Sequence, residues 1–184
     1  MLNSNNIHHE IDQVVEKAEI NDYKIVLDLE AELPSGKRDL KVLLNGEVVY
    51  EGMIETGKHT VTKEAHLSPG KGILMQARTS DHVNGDKIIV TRFEINGVNM
   101  HRTNLWLLDS QKFTHDNGEV EIGNNGLYHN GAWSIELPTP VFPWMMKKKR
   151  EISKNVHYVD RDNKDYQEKL DDIYYKLLDV VYRR

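Results

Sequence analysis

From Tyr23 onward the apolar positions of the chain alternate. Ile25, Leu27, Leu29 and Ala31 are interleaved with Val26, Asp28 and Glu30, which is the two-residue period of a half-buried strand. Pro34-Ser35-Gly36 makes a turn, and a second strand runs over 40–44. Asn45-Gly46 then predicts a tight hairpin, because both residues tolerate the positive φ that such a turn needs. The chain returns over 48–54. Thr56-Gly57 and Ser68-Pro69-Gly70 punctuate further strands at 59–66 and 72–78. A polar loop, 80–86, separates these from a strand at 87–95, and Asn96-Gly97 turns the chain again. The apolar run 105–108 suits a strand, and Asn117-Gly118 predicts a third hairpin turn between Phe113 and Ile122. Gly123-Asn124-Asn125-Gly126 reads as a loop with positive φ at several positions. A last strand over 132–137 places Trp133, Ile135 and Leu137 on one face, and Pro138, Pro140 and Pro143 end it. Short strands with turn signals between them predict an all-β chain folded as an antiparallel β-sandwich.

The period changes at both ends. Ile7, Ile11, Val14, Val15 and Ala18 share one face of a 3.6-residue repeat, which predicts a helix over 5–20. Over 163–182 a second amphipathic helix carries an apolar stripe of Tyr166, Leu170, Ile173, Tyr174, Leu177 and Val181, with Asp162 as its N-cap. A short helix is marginal alone in water, so each must dock on something. The C-terminal stripe is the expected interface with other protein chains of an assembly. The expected organisation is an N-terminal helix (1–21), the sandwich (22–146), a basic linker (147–162) containing Lys147-Lys148-Lys149-Arg150, and the C-terminal helix (163–184).

Charge and composition remove several classes of function. A net charge of −5 over 184 residues leaves no footprint for nucleic acid. No stretch approaches the roughly 18 apolar residues of a membrane span. The first residues, MLNSNNIHHE, lack the basic and apolar regions of a signal peptide, so a virion or cytoplasmic location is expected. The chain has no cysteine, which excludes disulfides and thiol chemistry.

Candidate chemistry sits in the loops. Asp81, Asn84 and Asp86 surround Gly85, and hard oxygen donors about a glycine turn are what calcium takes. The spacing is not that of an EF-hand, and Asp and Asn also fill plain turns. The segment 125–133 brackets an aromatic and a histidine between two Asn/Gly turns. Tyr128, with Trp106, offers flat apolar faces to a sugar ring, and Asn125, His129 and Asn130 supply hydrogen bonds beside them. Nine histidines show no zinc-site spacing. His115-Asp116 has no positioned nucleophile, because Ser134 falls in mid-strand and no GxSxG motif occurs. The expectation is therefore that the chain is not an enzyme.

The stretch 24–101 resembles the calcium-dependent xylan-binding type of carbohydrate-binding module. The resemblance rests on Leu43-Leu44-Asn45-Gly46-Glu47-Val48-Val49, on the loop with Asp81 and Asp86, and on Phe93-Glu94-Ile95-Asn96-Gly97. It implies a jelly-roll-like sandwich that binds polysaccharide through loop calcium and does no chemistry. The family's acidic loop is sparser here. Sandwiches of this kind also resemble domains of tailed-phage virion proteins. The expected function is a non-catalytic structural or adhesion protein of a larger assembly, a bacteriophage virion component, built on a carbohydrate-binding-like sandwich. The alternative is a free-standing polysaccharide-binding module that takes calcium.

Overall fold

The structure is a computed structural model, and the residues described are 21–68, 70–100, 110–145 and 147. The helical stretches expected at both ends, the 105–108 run and Trp106 lie outside the described residues. So do the six interface positions from Tyr166 to Val181.

The described chain is built of antiparallel strands. In order they are β1 (Asp22–Glu32), β2 (Lys37–Leu44), β3 (Glu47–Glu55), β4 (Gly57–His66), β5 (Ile73–Thr79), β6 (Lys87–Ile95), β7 (Val98–Asn99), β8 (Gln111–His115), β9 (Val120–Ile122), β10 (Gly126–Leu127) and β11 (Gly131–Leu137). They form two sheets. One runs β10-β6-β1-β4 with β7 beside β6, and the other runs β3-β2-β5-β11-β8-β9. This is the β-sandwich that the alternation predicts.

The hydrophobic period decides which face is buried. In β1 the odd positions Tyr23, Ile25, Leu27 and Leu29 are all at most 1% exposed, while Lys24 and Glu30 face water. Across the core stand Leu40 and Val42 of β2, Met75 and Ala77 of β5, Phe113 of β8, and Trp133, Ile135 and Leu137 of β11. Phe93 and Trp133 meet edge to face at 6.3 Å and join the two sheets. Each such side chain contributes about 1.5–3 kcal/mol by leaving water.

Two of the three Asn-Gly pairs fold as expected of primed turns. Asn45 and Gly46 have φ of 50° and 84°, and Asn96 and Gly97 have 49° and 85°. The third differs. Asn117 is not in the left-handed region, and Gly118 alone (φ 88°) completes a turn whose N–H donates to the His115 carbonyl at 2.9 Å. The loop there is longer than the two residues a primed turn needs, and that length selects an ordinary turn followed by a glycine bulge. The 123–126 loop also departs from expectation, since only Gly123 has positive φ. The bend is made instead by Asn124, whose side-chain oxygen accepts the Gly126 N–H at 2.8 Å.

Pro138 and Pro140 do end β11. A helical turn over 141–145 follows, and it drives Val141 and Phe142 into the core at 0% exposure.

Candidate functional site

The loops singled out in the sequence meet at one end of the sandwich. Gly131, the first residue of β11, lies in register with Thr79 at the end of β5 and with His115 at the end of β8. The 80–86 loop, the 123–130 loop and the β1–β2 turn therefore share one rim.

Arg38 organises this rim from below. In β2 the inward alternation is Arg38, Leu40, Val42, Leu44, so a guanidinium occupies a core-facing position at 2% exposure. Its Nε–H donates to the Ser80 carbonyl at 3.5 Å and an Nη2–H donates to the His129 carbonyl at 3.2 Å. One side chain thus holds both loops. Its Nη1 is buried without a hydrogen-bond partner among the described residues. Burial lowers the Arg38 pKa from its ordinary value, and the charges of Asp86 and Asp39 oppose that shift. Asp39 also accepts the Ser80 N–H at 3.0 Å, which fixes the start of the 80–86 loop.

Asp86 faces inward as well, at 3% exposure. Its Oδ1 accepts the Ser35 N–H at 3.1 Å and its Oδ2 accepts the Ser35 hydroxyl at 2.6 Å. Burial pushes its pKa up, but the two Ser35 hydrogen bonds and the positive charge of Arg38 outweigh burial and leave it below the usual carboxylate value. Asp81 (φ 54°) and Asn84 stay on the surface. The three residues read as calcium ligands therefore point in different directions. Among the described residues no group of three or more His, Asp or Glu side chains is placed to hold a metal ion. As folded here, Asp81, Asn84 and Asp86 do not form a calcium cage, because a cage needs converging oxygens and Asp86 is turned inward to Ser35 while Asp81 and Asn84 lie on the surface.

The 123–130 loop divides its labour. The Asn130 side-chain oxygen accepts the His82 N–H at 2.7 Å, and the Asn125 carbonyl accepts the Val90 N–H at 2.8 Å. Those two residues anchor, while Tyr128 and His129 are presented to solvent. The Tyr128 ring packs over Gly126, where a Cβ would overlap its ring atoms.

A row of imidazoles crosses the rim. His82 and His129 lie 5.5 Å apart edge to face, and His129 and His115 lie 5.5 Å apart, tilted. His115 Nε2 is 2.7 Å from Glu121 Oε1, and the Asn124 amide donates to Glu121 Oε2 at 2.6 Å. These contacts hold the Glu121 pKa down, the His115 hydrogen bond most of all. Burial lowers the His82 pKa, and the positive charges of Arg38 and His129 lower it further against the pull of Asp86.

A pH dependence follows from these shifts. Because His82 binds its proton less readily folded than unfolded, it contributes stability above about pH 6.5 that is lost as pH falls through its folded value. Glu121 acts in the same sense lower down, with stability present above about pH 4.3 and lost as pH falls through its depressed folded value. Urea midpoints should decline on acidification from pH 7.5 to 5, and His82→Asn should flatten that slope. An unchanged slope in the variant would refute the assignment to His82.

The alternation of β2 carried a signal for Arg38. Starting that strand at Leu40 hides it, whereas extending the two-residue period backward exposes a charge on the buried face. Ser35, His82, His115 and Glu121 had no such signal, since their partners are brought together only by sheet pairing.

No protein-family model matches this chain, and no curated protein matches it. Two solved structures do. One, "vCBM60 in complex with galactobiose", shares 14% identity at a TM-score of 0.40, covering 62% of this chain and 99% of its own. The other is a SeMet form of vCBM60, described within a link between two families of calcium-dependent carbohydrate binding modules. It shares 14% identity at a TM-score of 0.41, covering 61% of this chain and 89% of its own.

Among the described residues no helix is long and apolar enough to cross a membrane.

Proposed function

We propose that this chain is a non-catalytic recognition module whose loop end binds a carbohydrate, and that it serves as a structural or adhesion component of a larger assembly such as a phage particle. One observation carries the binding half: the 80–86 and 123–130 loops are tied together through Arg38 and Asn130, so that Tyr128 and His129 stand on a rigid rim. An apolar face beside fixed hydrogen-bonding groups suits a sugar ring, and preorganised loops lower the ordering cost of binding. Calcium plays no part in this reading. The assembly half rests on the amphipathic stripe from Tyr166 to Val181, whose apolar positions ask for a partner.

A glycan array followed by calorimetry, each run with calcium and with chelator, tests the binding half. Tyr128→Ala should abolish retention on the bound glycan at a stability cost of about 1 kcal/mol, since the ring is 36% exposed and packs over Gly126. Retention of nothing on the array would end the carbohydrate reading, and binding only with calcium would reverse the reading of Asp81, Asn84 and Asp86. Light scattering on the full chain, with and without Leu170→Lys and Leu177→Lys, tests the assembly half.

A further inference from the structure

We propose a second ligand site, for a neutral polyhydroxylated chain, on the outer face of the five-stranded sheet. It is lined by residues other than those of the loop end, so it stands or falls separately from the reading above. It begins with a β-bulge. Asp28 pairs with Arg92 but Leu29 pairs with Val90, so Thr91 is an extra residue in β6. Side chains alternate along a strand, and one extra residue sends two neighbours to the same side. Val90 and Phe93 are both 0% exposed, while Thr91 and Arg92 both reach the outer face.

The bulge gives this face an ordered polar row. Arg92 Nε is 2.8 Å from Asp28 Oδ2 and Arg92 Nη1 is 3.3 Å from Glu94 Oε2. The Thr60 hydroxyl donates to Asp28 Oδ1 at 2.8 Å, and the Thr91 hydroxyl donates to the Asp28 carbonyl at 3.3 Å. Arg92, Asp28 and Thr60 therefore run straight across β6, β1 and β4. They floor an open groove of about 380 Å³ flanked by Lys58 and Asn99, within the usual size range of a small-ligand pocket.

The chemistry selects the ligand. In the lining, Asp28 and Glu30 are set against Arg92 and Lys58, with Glu94 beside Arg92, so the groove presents no strong field of either sign. A phosphate or a polyamine gains little there. The carboxylate oxygens and the guanidinium keep lone pairs and N–H groups beyond these mutual contacts, and vicinal hydroxyls can meet them. These groups are already held by one another, which lowers the ordering cost of binding. Phe, Tyr and Trp are absent from the groove lining, so binding is weak and fits an extended glycan gripped at several sugars.

The test uses the full chain, ¹⁵N-labelled and titrated with xylohexaose, cellohexaose or mannohexaose, with trigalacturonate as an anionic control. At least one neutral hexaose should shift the amides of Asp28, Thr60, Thr91 and Arg92 with millimolar saturation. Arg92→Gln and Thr60→Val should each weaken that response at least threefold while leaving the unfolding midpoint and the Tyr128 and His129 amides unmoved. Thr60→Val removes only the hydroxyl that orients Asp28, which keeps the test valid if the arginine variant folds poorly. Absence of shifts at these amides with all three hexaoses, an equal response in both variants and the wild type, or a stronger response to trigalacturonate would overturn the site.

Discussion

Gly131→Ala is expected to destabilise the fold by about 2–6 kcal/mol, the sum of a steric and a backbone contribution. A Cβ at this position would overlap the Thr114 carbonyl oxygen and come within 2.9 Å of Phe113 Cζ. Neither neighbour can yield, because Thr114 is in register with Ala132 within the β8–β11 ladder and Phe113 is a core ring at 1% exposure. The backbone adds its own contribution. Gly131 has φ 151°, a conformation that L side chains seldom take. Strain of that kind costs about 1–3 kcal/mol, and overpacking a filled site costs a similar amount. Gly46→Ala supplies the internal control: its φ is 84°, and nothing lies within 4 Å of the place its new methyl group would occupy. It should cost about 1 kcal/mol, from the backbone alone. Urea unfolding of both variants separates the two contributions. A Gly131 variant no worse than the Gly46 variant would show that the close approach of β11 to β8 is wrong. Since Gly131 joins Thr79 to His115, its substitution should also weaken glycan retention at the loop end.

Arg38→Ala is expected to cost about 2–4 kcal/mol and to loosen both loops at once. The substitution strips hydrogen bonds from the Ser80 and His129 carbonyls, leaves Asp86 buried beside Ser35 without the positive charge of the guanidinium, and opens a cavity under the rim. An abandoned buried partner is costly even where the intact arrangement contributes little net stability. Arg38→Met should cost less than Arg38→Ala, because it refills the volume while also removing the charge. Hydrogen exchange provides a local readout. The His82 amide, held by the Asn130 side chain, should lose protection in both variants relative to the amides of β1. A loss of stability under about 1 kcal/mol, with His82 exchange unchanged, would mean that the loops are held by other contacts.

Most of the sandwich was legible along the chain because a half-buried strand writes its burial in every second residue. The odd positions from Tyr23 to Leu29 and from Trp133 to Leu137 are all buried, with Val26 the one buried residue between them, and Asn45-Gly46 and Asn96-Gly97 mark their hairpins by the backbone that asparagine and glycine tolerate. The stretch around 120–130 was less legible. β10 is only two residues long and crosses to pair with β6 in the other sheet, and no local pattern announces a contact with residues so distant along the chain. The bulge at Thr91 was hidden for a related reason. A single extra residue alters the period only relative to its partner strand, and the partner is chosen by the fold.

The loop end shows the same division. The Asn, Gly and aromatic content of 125–131 pointed to a rim, since those residues belong where the chain must bend and meet water. Which side chains anchor the rim and which are presented was decided by tertiary structure alone. The sequence offers Asp86 as a metal ligand, and only folding shows it turned inward with Ser35 against both of its oxygens. Asn130 takes an anchoring role as well, because the 80–86 loop comes within reach of its side-chain oxygen. The pattern of polar and apolar residues determines what a strand buries, because burial is a property of one element's faces. The partners of a polar side chain are set by register between elements distant in sequence, and that register exists only in the folded chain.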